Sequence, residues 1–565
     1  MTAGADRRPT ILTVTASQPI AAAEPAEQAG GRAQLVLLTL ASAQFLMTLD
    51  SSVMNVSIAT VAKDVGTTVT GIQGAITAYT LVMAALMITG AKIGAIIGRK
   101  KAFAIGCVIY GAGSLTTSLA PSLTVLLIGW SFLEGVGAAL ILPAIVALVA
   151  GNFPQARRPA AYGLVAAAGA VAVAVGPLIG GFCTTYFSWR WVFAGEVVIV
   201  AIILVLQRKI ADAPADHRPQ LDVVGAVLSA AGLGALVFGV LRSSVWGWIQ
   251  PKPGQPEWFN LSPTIWLILI GLFVIWVFFR WEARCESSGK EPLVRPEMLR
   301  NRQLTGGLIM FFFQYLVQAG FFFVVPLYLS VCLGLSALAT GARLLPLSIT
   351  LLAAAIGIPK VWPNVSPRLV VRCGLLAMCA GTVVLLGGLD ADAGPEIVFV
   401  PLLLIGLGIG ALASQLGSVT VSAVPDKESA EVGGVQNTMT NLGASLGTAL
   451  AGSLMIAAVS AAFLTNIQQN PDIPGRVKED ATVKLGGGVQ FISDADFNAA
   501  LDEAGVRNKT AEAALTDYQD ARIDGLKTSL GILAVLALVG LLYSGRIPRK
   551  QPQGGGRPAD EEDDP

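Results

Sequence analysis

Three acidic residues lie inside long apolar stretches of the sequence. Asp50, Glu134 and Glu196 are each flanked by mostly hydrophobic residues. A charge near the middle of a membrane-spanning helix costs roughly 2.5–3.5 kcal/mol on insertion scales, so an acid there usually has a function. Because desolvation disfavours the charged form of a carboxyl group, each acid is a candidate proton-coupling residue.

Each of these three acids also has an alternative interpretation. Asp50 is a candidate for a hydrogen bond between helices, and Glu134 is a candidate for direct contact with a substrate. Glu196 follows Arg190 by less than two helical turns. A position near the outer membrane interface, with Glu196 paired to Arg190, is therefore a second hypothesis for this acid.

Other reactive side chains form no catalytic or metal-binding motif. None of the six cysteines belongs to a C-x-x-C pair, and the single histidine, His217, lies in a polar connector. These patterns exclude a zinc site, a disulfide framework and a His-based proton relay. No phosphate-binding loop of the G-x-x-x-x-G-K-[ST] type occurs. The sequence therefore predicts no enzyme, no metal, no cofactor and no nucleotide partner.

The composition is that of a membrane protein. The chain has 565 residues, of which 54% are hydrophobic and 13% are charged, whereas soluble domains average about 25% charged residues. The 38 basic and 37 acidic residues give a net charge of +1, which lacks the basic excess typical of nucleic-acid binding. No nucleic-acid partner is expected.

The apolar runs predict an all-α integral membrane protein with fourteen spans. Each span needs about 20 apolar residues to cross ~30 Å of hydrocarbon. The predicted spans are residues 35–58, 72–94, 102–119, 123–149, 161–183, 191–207, 222–241, 264–281, 304–330, 340–359, 373–389, 397–424, 433–463 and 527–544. Clusters of Lys and Arg in alternate connectors, such as Arg99 to Lys101, predict that both termini are cytoplasmic (N-in/C-in).

Weak internal similarity divides these spans into two halves. Gly163 to Gly181 and Gly433 to Gly452 share a Gly- and Ala-rich pattern, and the motif at Gly135 has a counterpart at Gly406. Repeats of this kind surround a midplane site in many transporters, although composition alone is the alternative explanation. The predicted organisation is a cytoplasmic tail (1–34), a six-helix half (35–207), two inserted helices with connectors (208–303), a second six-helix half (304–544) that includes an outer loop (464–526), and a cytoplasmic tail (545–565).

The outer loop has a helix signal of its own. Ser493 followed by Asp496 resembles a capping box, and residues 510–525 place apolar side chains at helical spacing. A short helical hairpin outside the membrane is predicted, with a solvated tether as the alternative.

Several short motifs carry a family resemblance. They are Leu49 to Val56, Thr77 to Tyr79, Gly98 to Lys100, Gly176 to Gly181, Trp189 to Phe193, Leu221 with Asp222 and Gly225, and Glu282 through Pro292 to Arg302. Together, over about residues 49 to 450, they resemble the fourteen-span drug:proton antiporters of the major facilitator superfamily. The resemblance implies the major facilitator fold, a bacterial cytoplasmic (inner) membrane location, and alternating access between the halves.

The resemblance also implies roles for particular residues. It makes Gly98, Arg99 and Lys100 part of a loop motif that governs conformation, and Gly176, Pro177, Gly180 and Gly181 a pivot and seal between the halves. It makes the ninth span a wall of the substrate cavity. The implied substrate-binding residues are Tyr79, Phe311, Gln314, Tyr315, Gln318, Phe322, Ser414, Gln415 and Ser418.

The sequence departs from the family pattern at important positions. Ala95 and Ile96 replace an acid and an Arg in the loop motif, and Ser131 and Glu134 replace an Arg and a Gln in the fourth span. Glu196 stands where the family usually has Asn. Proton coupling, if present, is expected to use a different set of residues.

Three functions are compatible with the sequence. The leading hypothesis is secondary export of lipophilic small molecules in exchange for protons, that is, multidrug efflux. The alternative on the same fold is transport of membrane lipid, favoured by the Phe-rich ninth span and the large outer loop. A non-transporting membrane sensor is the third. Membrane lipid surrounds the protein in all three.

Overall fold

The computed structural model describes residues 26–154, 157–212, 220–424, 429–478 and 489–551. His217 and most of both predicted tails lie outside this range. In the described chain the regular elements are helices, and the first of them begins at Ala26, earlier than predicted. The helices are α1 (Ala26–Asp64), α2 (Val69–Ile97), α3 (Arg99–Ser118), α4 (Leu123–Asn152), α5 (Arg158–Tyr186), α6 (Arg190–Leu206), α7 (Val223–Trp246), α8 (Pro263–Ser287), α9 (Arg302–Leu327), α10 (Ala337–Val361), α11 (Pro367–Gly388), α12 (Phe399–Val421), α13 (Ser429–Gln469), α14 (Asp494–Glu503) and α15 (Asn508–Tyr543).

Thirteen helices in the described chain are long and apolar enough to cross a membrane. The predicted third span corresponds to α3, which has 20 residues and a length of about 30 Å at 1.5 Å per residue. It is less apolar than the others because it begins with Arg99 and Lys100 and buries polar residues such as Ser114. The total of fourteen spans and the N-in/C-in orientation therefore stay predictions.

Close glycine contacts repeat in the two halves. A Cβ added at Gly106 of α3 would lie 2.9 Å from the carbonyl oxygen of Gly137 of α4. In the second half, a Cβ at Gly374 of α11 would lie 2.9 Å from the carbonyl oxygen of Gly408 of α12. These contacts let the helix backbones approach closely, and they support the repeat predicted from the motifs at Gly135 and Gly406.

The inserted helices α7 and α8 pack against both halves. Leu233 and Val237 of α7 form one apolar cluster with Ala84 of α2 and Leu442 of α13. A second cluster joins Phe278 of α8 to residues of α9 and α13. The inserted pair therefore covers the line along which α2 meets α13.

The predicted outer loop contains α14 and the first part of α15, which form the predicted helical hairpin. Ser493 caps α14, because its hydroxyl accepts a hydrogen bond from the Asp496 amide at 3.2 Å. Phe497 of α14 stacks on Tyr518 of α15 with ring centroids 4.1 Å apart. Arg522 is buried below this pair and is bonded to Asp494. The hairpin is thus packed around an aromatic core and is not a loose tether.

Candidate functional site

The centre of the first half is shaped by an irregular helix. Within α4, residues Leu127–Glu134 form a π-helical segment. π segments are rare and often occur at functional sites. Here the segment buries Trp130, Ser131 and Glu134, and the Ser131 hydroxyl donates to the carbonyl oxygen of Ala75 at 2.8 Å. No pattern in the sequence predicted it.

The three candidate acids meet beside this π segment. Asp50 comes from α1, Glu134 from α4 and Glu196 from α6, and their exposed fractions are 0%, 0% and 1%. One carboxyl oxygen from each lies within 4.8 Å of the others. We call this group the acid cluster. Residues far apart in sequence are thus brought together in the interior of one half.

Each acid in the cluster receives a hydrogen bond from a neutral donor. The indole Nε1 of Trp130 donates to both carboxyl oxygens of Asp50, at 2.8 and 2.9 Å. Thr117 donates to Glu134 at 3.2 Å, and Ser114 donates to Glu196 at 3.1 Å. The second oxygens of Glu134 and Glu196 are buried without a hydrogen-bond partner.

Two tyrosines complete the walls of the acid cluster. Tyr79 stacks on Trp130 with ring centroids 5.0 Å apart and an interplanar angle of 9°. The hydroxyls of Tyr79 and Tyr110 lie beside Asp50 but are buried without a hydrogen bond of good geometry. Tyr79, predicted as a substrate-binding residue, is therefore fully buried against the acids.

The alternative hypothesis, that Glu196 pairs with Arg190, is wrong. Arg190 forms its ion pair with Asp64 at the end of α1 and donates to the carbonyl oxygen of Ala120. Glu196 lies further along α6 on the face towards α3, because Ser114 binds it there. Sequence spacing alone did not distinguish these two partners.

The polar residues of α9 have unsatisfied hydrogen-bonding groups. Gln314 is buried, and the Oε1 atoms of Gln314 and Gln318 are both buried without a partner. Phe322 is partly buried and packs against the main core. These three residues keep their predicted status as candidate substrate contacts.

Phe311 and Tyr315 contact an apolar cluster of the second half. Phe311 is buried in an apolar cluster with residues of α11 and α12, and Tyr315 packs against the same cluster. Phe311 and Tyr315 thus pack inside the second half, and their role as substrate contacts stays a prediction.

The polar face of α12 lies near the end of that helix. Ser414 and Ser418 donate to backbone carbonyls of their own helix. Gln415 is buried and accepts a hydrogen bond at 2.9 Å from Gln551, which follows α15. The contact with the C-terminal segment indicates a structural role for Gln415, and Ser418 is exposed.

The glycine motif of α5 packs on α1 of its own half and on α10 of the other half. A Cβ at Gly176 would lie 2.5 Å from Cβ of Ser52 in α1, and one at Gly181 would lie 2.6 Å from the carbonyl oxygen of Ala337 in α10. From the other side, a Cβ at Gly341 of α10 would lie 2.2 Å from the carbonyl oxygen of Pro177. Only residues without a side chain permit this contact.

The contact between α5 and α10 is tight at one end, and glycines near the opposite ends of the two helices have no close neighbour. At the tight end the Leu338 amide donates to the Thr185 hydroxyl at 3.1 Å. At the opposite end, a Cβ at Gly163 of α5 or at Gly357 of α10 would meet nothing within 4 Å. By the predicted topology the tight end is the outer one.

The loop motif contacts an acid, Asp212, that the sequence analysis did not identify. Gly98 has a φ of +102° and separates α2 from α3, and the Lys100 amide donates to Asp212 at 2.9 Å. A Cβ at Gly98 would lie 2.7 Å from the same carboxylate. Asp212 follows α6 and is remote in sequence, so no local pattern could indicate it. It supplies a carboxylate next to the motif in which Ala95 replaces the usual acid.

Two repeated helical halves meet at small residues, and one of them contains buried acids. This combination is typical of membrane transporters. The model of the Major Facilitator Superfamily matches residues 40–250 and 222–448. The chain belongs to this superfamily.

Curated relatives include proteins that confer drug resistance. The chain is 29% identical over 445 residues to the puromycin resistance protein pur8 of Streptomyces alboniger, covering 77% of this chain and 84% of the relative. It is 25% identical over 518 residues to the multidrug efflux pump LfrA of Mycolicibacterium smegmatis, covering 91% of this chain and 96% of the relative.

Solved structures agree on the fold. A bacterial homologue of the human lysosomal transporter Spinster, in an inward-facing and unoccupied conformation, superimposes with a TM-score of 0.58 at 15% identity. The alignment covers 91% of this chain and 98% of that one.

Proposed function

We propose that this protein is a secondary active exporter of lipophilic compounds that exchanges them for protons. The acid cluster takes up and releases the coupling protons, and the two halves alternate in opening a shared cavity to either side of the membrane. Asp50, Glu134 and Glu196 are the coupling residues, and Gln314, Gln318 and Phe322 of α9 contact the exported compound.

The observation that carries this proposal is the convergence of three carboxyl groups inside one half. In the described part of the chain none of the three forms an ion pair. A buried carboxylate without a basic partner is expensive unless it is neutralised. Proton binding neutralises it, and a change in its surroundings during alternating access releases the proton again.

The α5–α10 contact supports the alternating-access part. A contact that is tight near Gly181, together with open space around Gly163 and Gly357, fits a state that is open to one side only. Reversal of this pattern requires only that the halves rock about the small residues, as in other transporters built from repeats.

The substrate class is supported by the relatives and by α9. Two relatives carry names that refer to puromycin resistance and to multidrug efflux. Partly buried aromatic rings and a few amides suit ligands held by apolar contact area and a small number of hydrogen bonds.

The test uses inside-out vesicles that contain the full-length protein and an imposed pH gradient. Asp50→Asn and Glu134→Gln are expected to reduce gradient-driven uptake of a fluorescent drug more than about tenfold, a loss equivalent to ~1.4 kcal/mol or more. The matched control is Glu282→Gln, because Glu282 is also fully buried but lies in α8, where it accepts from the Val294 amide.

Expression and monodispersity are measured for every variant. Uptake at the wild-type rate in both cluster variants contradicts the coupling assignment, and an equal loss in Glu282→Gln shows that any buried acid has the same effect. Drug uptake that ignores the pH gradient in the wild-type protein contradicts proton exchange itself.

A further inference from the structure

The acid cluster is built only from hard oxygen donors. It offers both oxygens of Asp50, the unpartnered oxygens of Glu134 and Glu196, and the hydroxyls of Tyr79 and Tyr110, which lie beside Asp50 without a hydrogen bond of good geometry. All five side chains are buried, and five different helices of the first half supply them. The two tyrosine hydroxyls are polar atoms from outside the three acids, and they too are buried without a hydrogen bond of good geometry. They are therefore a second indication of a ligand site at the centre of the cluster.

The spacing of the carboxyl oxygens matches a shared ion. Ca²⁺ binds oxygen at about 2.3–2.6 Å, so two oxygens on opposite sides of one ion are at most about 5 Å apart. One carboxyl oxygen from each of the three acids lies within 4.8 Å of the other two. They can therefore contact a single ion without a rearrangement of the helices.

The charge of the cluster favours the same conclusion. The titratable groups that face one another are Asp50 of α1, Tyr79 of α2, Tyr110 of α3, Glu134 of α4 and Glu196 of α6. The remaining hydrogen-bond donors, Trp130, Ser114 and Thr117, are neutral. Positive charge has to come from protons or from a bound cation, because a buried, unpaired charge is costly.

We propose that Asp50, Glu134 and Glu196 form a binding site for one dehydrated hard cation, Na⁺ or Ca²⁺, which competes with protons for the same carboxyl groups. The inference rests on the proposed role of the cluster in coupling and adds a second ion to it. One cation with a charge of +2 together with one proton neutralises the three carboxylates, as does one of charge +1 together with two protons.

The chemistry of the site distinguishes this class of ion from others. Zn²⁺ prefers nitrogen and sulfur ligands, which the cluster does not offer. Mg²⁺ usually keeps several waters, and the walls are tightly packed: a Cβ at Gly113 would lie 2.6 Å from Cγ of Glu134. A larger ion that exchanges its water for protein oxygens suits such an enclosure better.

The experiment measures binding of radioactive Ca²⁺ and Na⁺, separately, to the purified full-length protein in detergent. We expect saturable binding of at least one of them at one ion per chain, with affinity that falls at acidic pH. An excess of unlabelled Mg²⁺ or Zn²⁺ should displace it poorly. Which of the two labelled ions binds identifies the cation.

Three variants assign the binding to the cluster. Glu134→Gln should weaken binding more than about tenfold because a charged ligand is lost. Tyr110→Phe, which removes only a hydroxyl, should weaken it by about fivefold. Glu282→Gln, the buried acid outside the cluster, should bind as the wild-type protein does. Elution volume and thermal unfolding confirm that each variant is folded.

Absence of saturable binding of both ions at alkaline pH overturns the proposal, and so does binding that Glu134→Gln and Tyr110→Phe leave unchanged. Proton-driven export in vesicles that lack Na⁺ and Ca²⁺ is measured in parallel. Export without cation binding removes this inference and leaves the proposed function in place, whereas cation binding without proton-driven export removes only the proton exchange.

Discussion

The α3–α4 pair of the first half and the α11–α12 pair of the second half have the same packing and different chemistry. A Cβ at Gly113 of α3 would lie 2.6 Å from Cγ of Glu134, and a Cβ at Gly381 of α11 would lie 2.7 Å from Cγ1 of Ile405. Equivalent glycines thus face an acid in one half and an aliphatic side chain in the other.

The two helix pairs also differ in the spacing of the residues that contact these glycines, which is one residue longer in α4 than in α12. Gly113 also faces the carbonyl oxygen of Gly129, and Gly381 faces that of Pro401. Gly129 and Glu134 are five positions apart, whereas Pro401 and Ile405 are four apart. The additional residue coincides with the π-helical segment of α4, whereas α12 is α-helical throughout. One extra residue turns the following side chains around the helix axis, which places Glu134 among the other acids.

The two halves differ in the polar groups that they bury. The first half carries the buried acids, and the second half presents amides and hydroxyls on α9, α12 and α13. Under the proposed function, coupling depends on how the second half changes the surroundings of acids that it does not itself supply.

The largest predicted effect comes from Gly113→Ala compared with Gly381→Ala. Both add one methyl group to a tight helix contact, at a cost of about 1–3 kcal/mol. Only Gly113→Ala displaces an acid, so we expect it to lower pH-driven export more than about tenfold while Gly381→Ala mainly lowers the unfolding temperature. Gly195→Ala on α6 is the control, since a Cβ there meets nothing within 4 Å. Equal transport losses in the two glycine variants would remove the functional difference between the halves.

The next effect concerns the boundary between the halves. Gly341→Ala places a methyl group 2.2 Å from the carbonyl oxygen of Pro177, whereas Gly357→Ala at the open end of the same helix meets open space. We expect Gly341→Ala to separate the outer ends of α5 and α10 and to slow export severalfold, because a few kcal/mol shifts a two-state equilibrium. Distances between spin labels on these ends provide the measurement. An unchanged distance distribution would show that the contact does not hold the closed state.

A smaller effect is predicted for the amides of α9. Gln314→Leu and Gln318→Leu should each weaken drug binding by about two- to threefold, since a hydrogen bond inside a membrane protein averages ~0.6 kcal/mol. Proton movement per exported molecule should stay the same. Drug affinity and proton stoichiometry are measured on the same proteoliposomes. A changed stoichiometry would assign part of the coupling to the second half.

The smallest effect belongs to the outer hairpin. Ser493→Ala removes the cap of α14 and should destabilise that helix by ~1 kcal/mol, seen as faster amide exchange in residues Asp494–Glu503. Export should change less than about twofold, since surface changes remote from the site have small effects. A large loss of export would indicate that the hairpin takes part in the transport cycle.

The helices could be predicted from the sequence because hydropathy reports directly on burial in lipid. The predicted third span also corresponds to a helix, α3, although its basic start and small polar residues dilute the apolar signal. Asp50, Glu134 and Glu196 could also be selected as candidates from the sequence, because an acid in an apolar run has a high cost.

The way in which these acids are arranged in space could not be predicted from the sequence. Glu196 turns towards Ser114 and not towards Arg190 because of how α3 packs on α6, and that packing leaves no local pattern. The π segment depends on one additional residue, which is recognisable only when the two halves are compared in space. Asp212 reaches the loop motif from a connector after α6.

The most direct test of the account measures proton movement caused by drug transport. Purified protein is reconstituted into liposomes that contain a pH-sensitive dye, and drug is added on one side without any imposed pH gradient. The account predicts a drug-dependent pH change in the wild-type protein and in Glu282→Gln, and none in Asp50→Asn or Glu134→Gln. Drug transport that causes no pH change in the wild-type protein, or an undiminished pH change in both cluster variants, would contradict it.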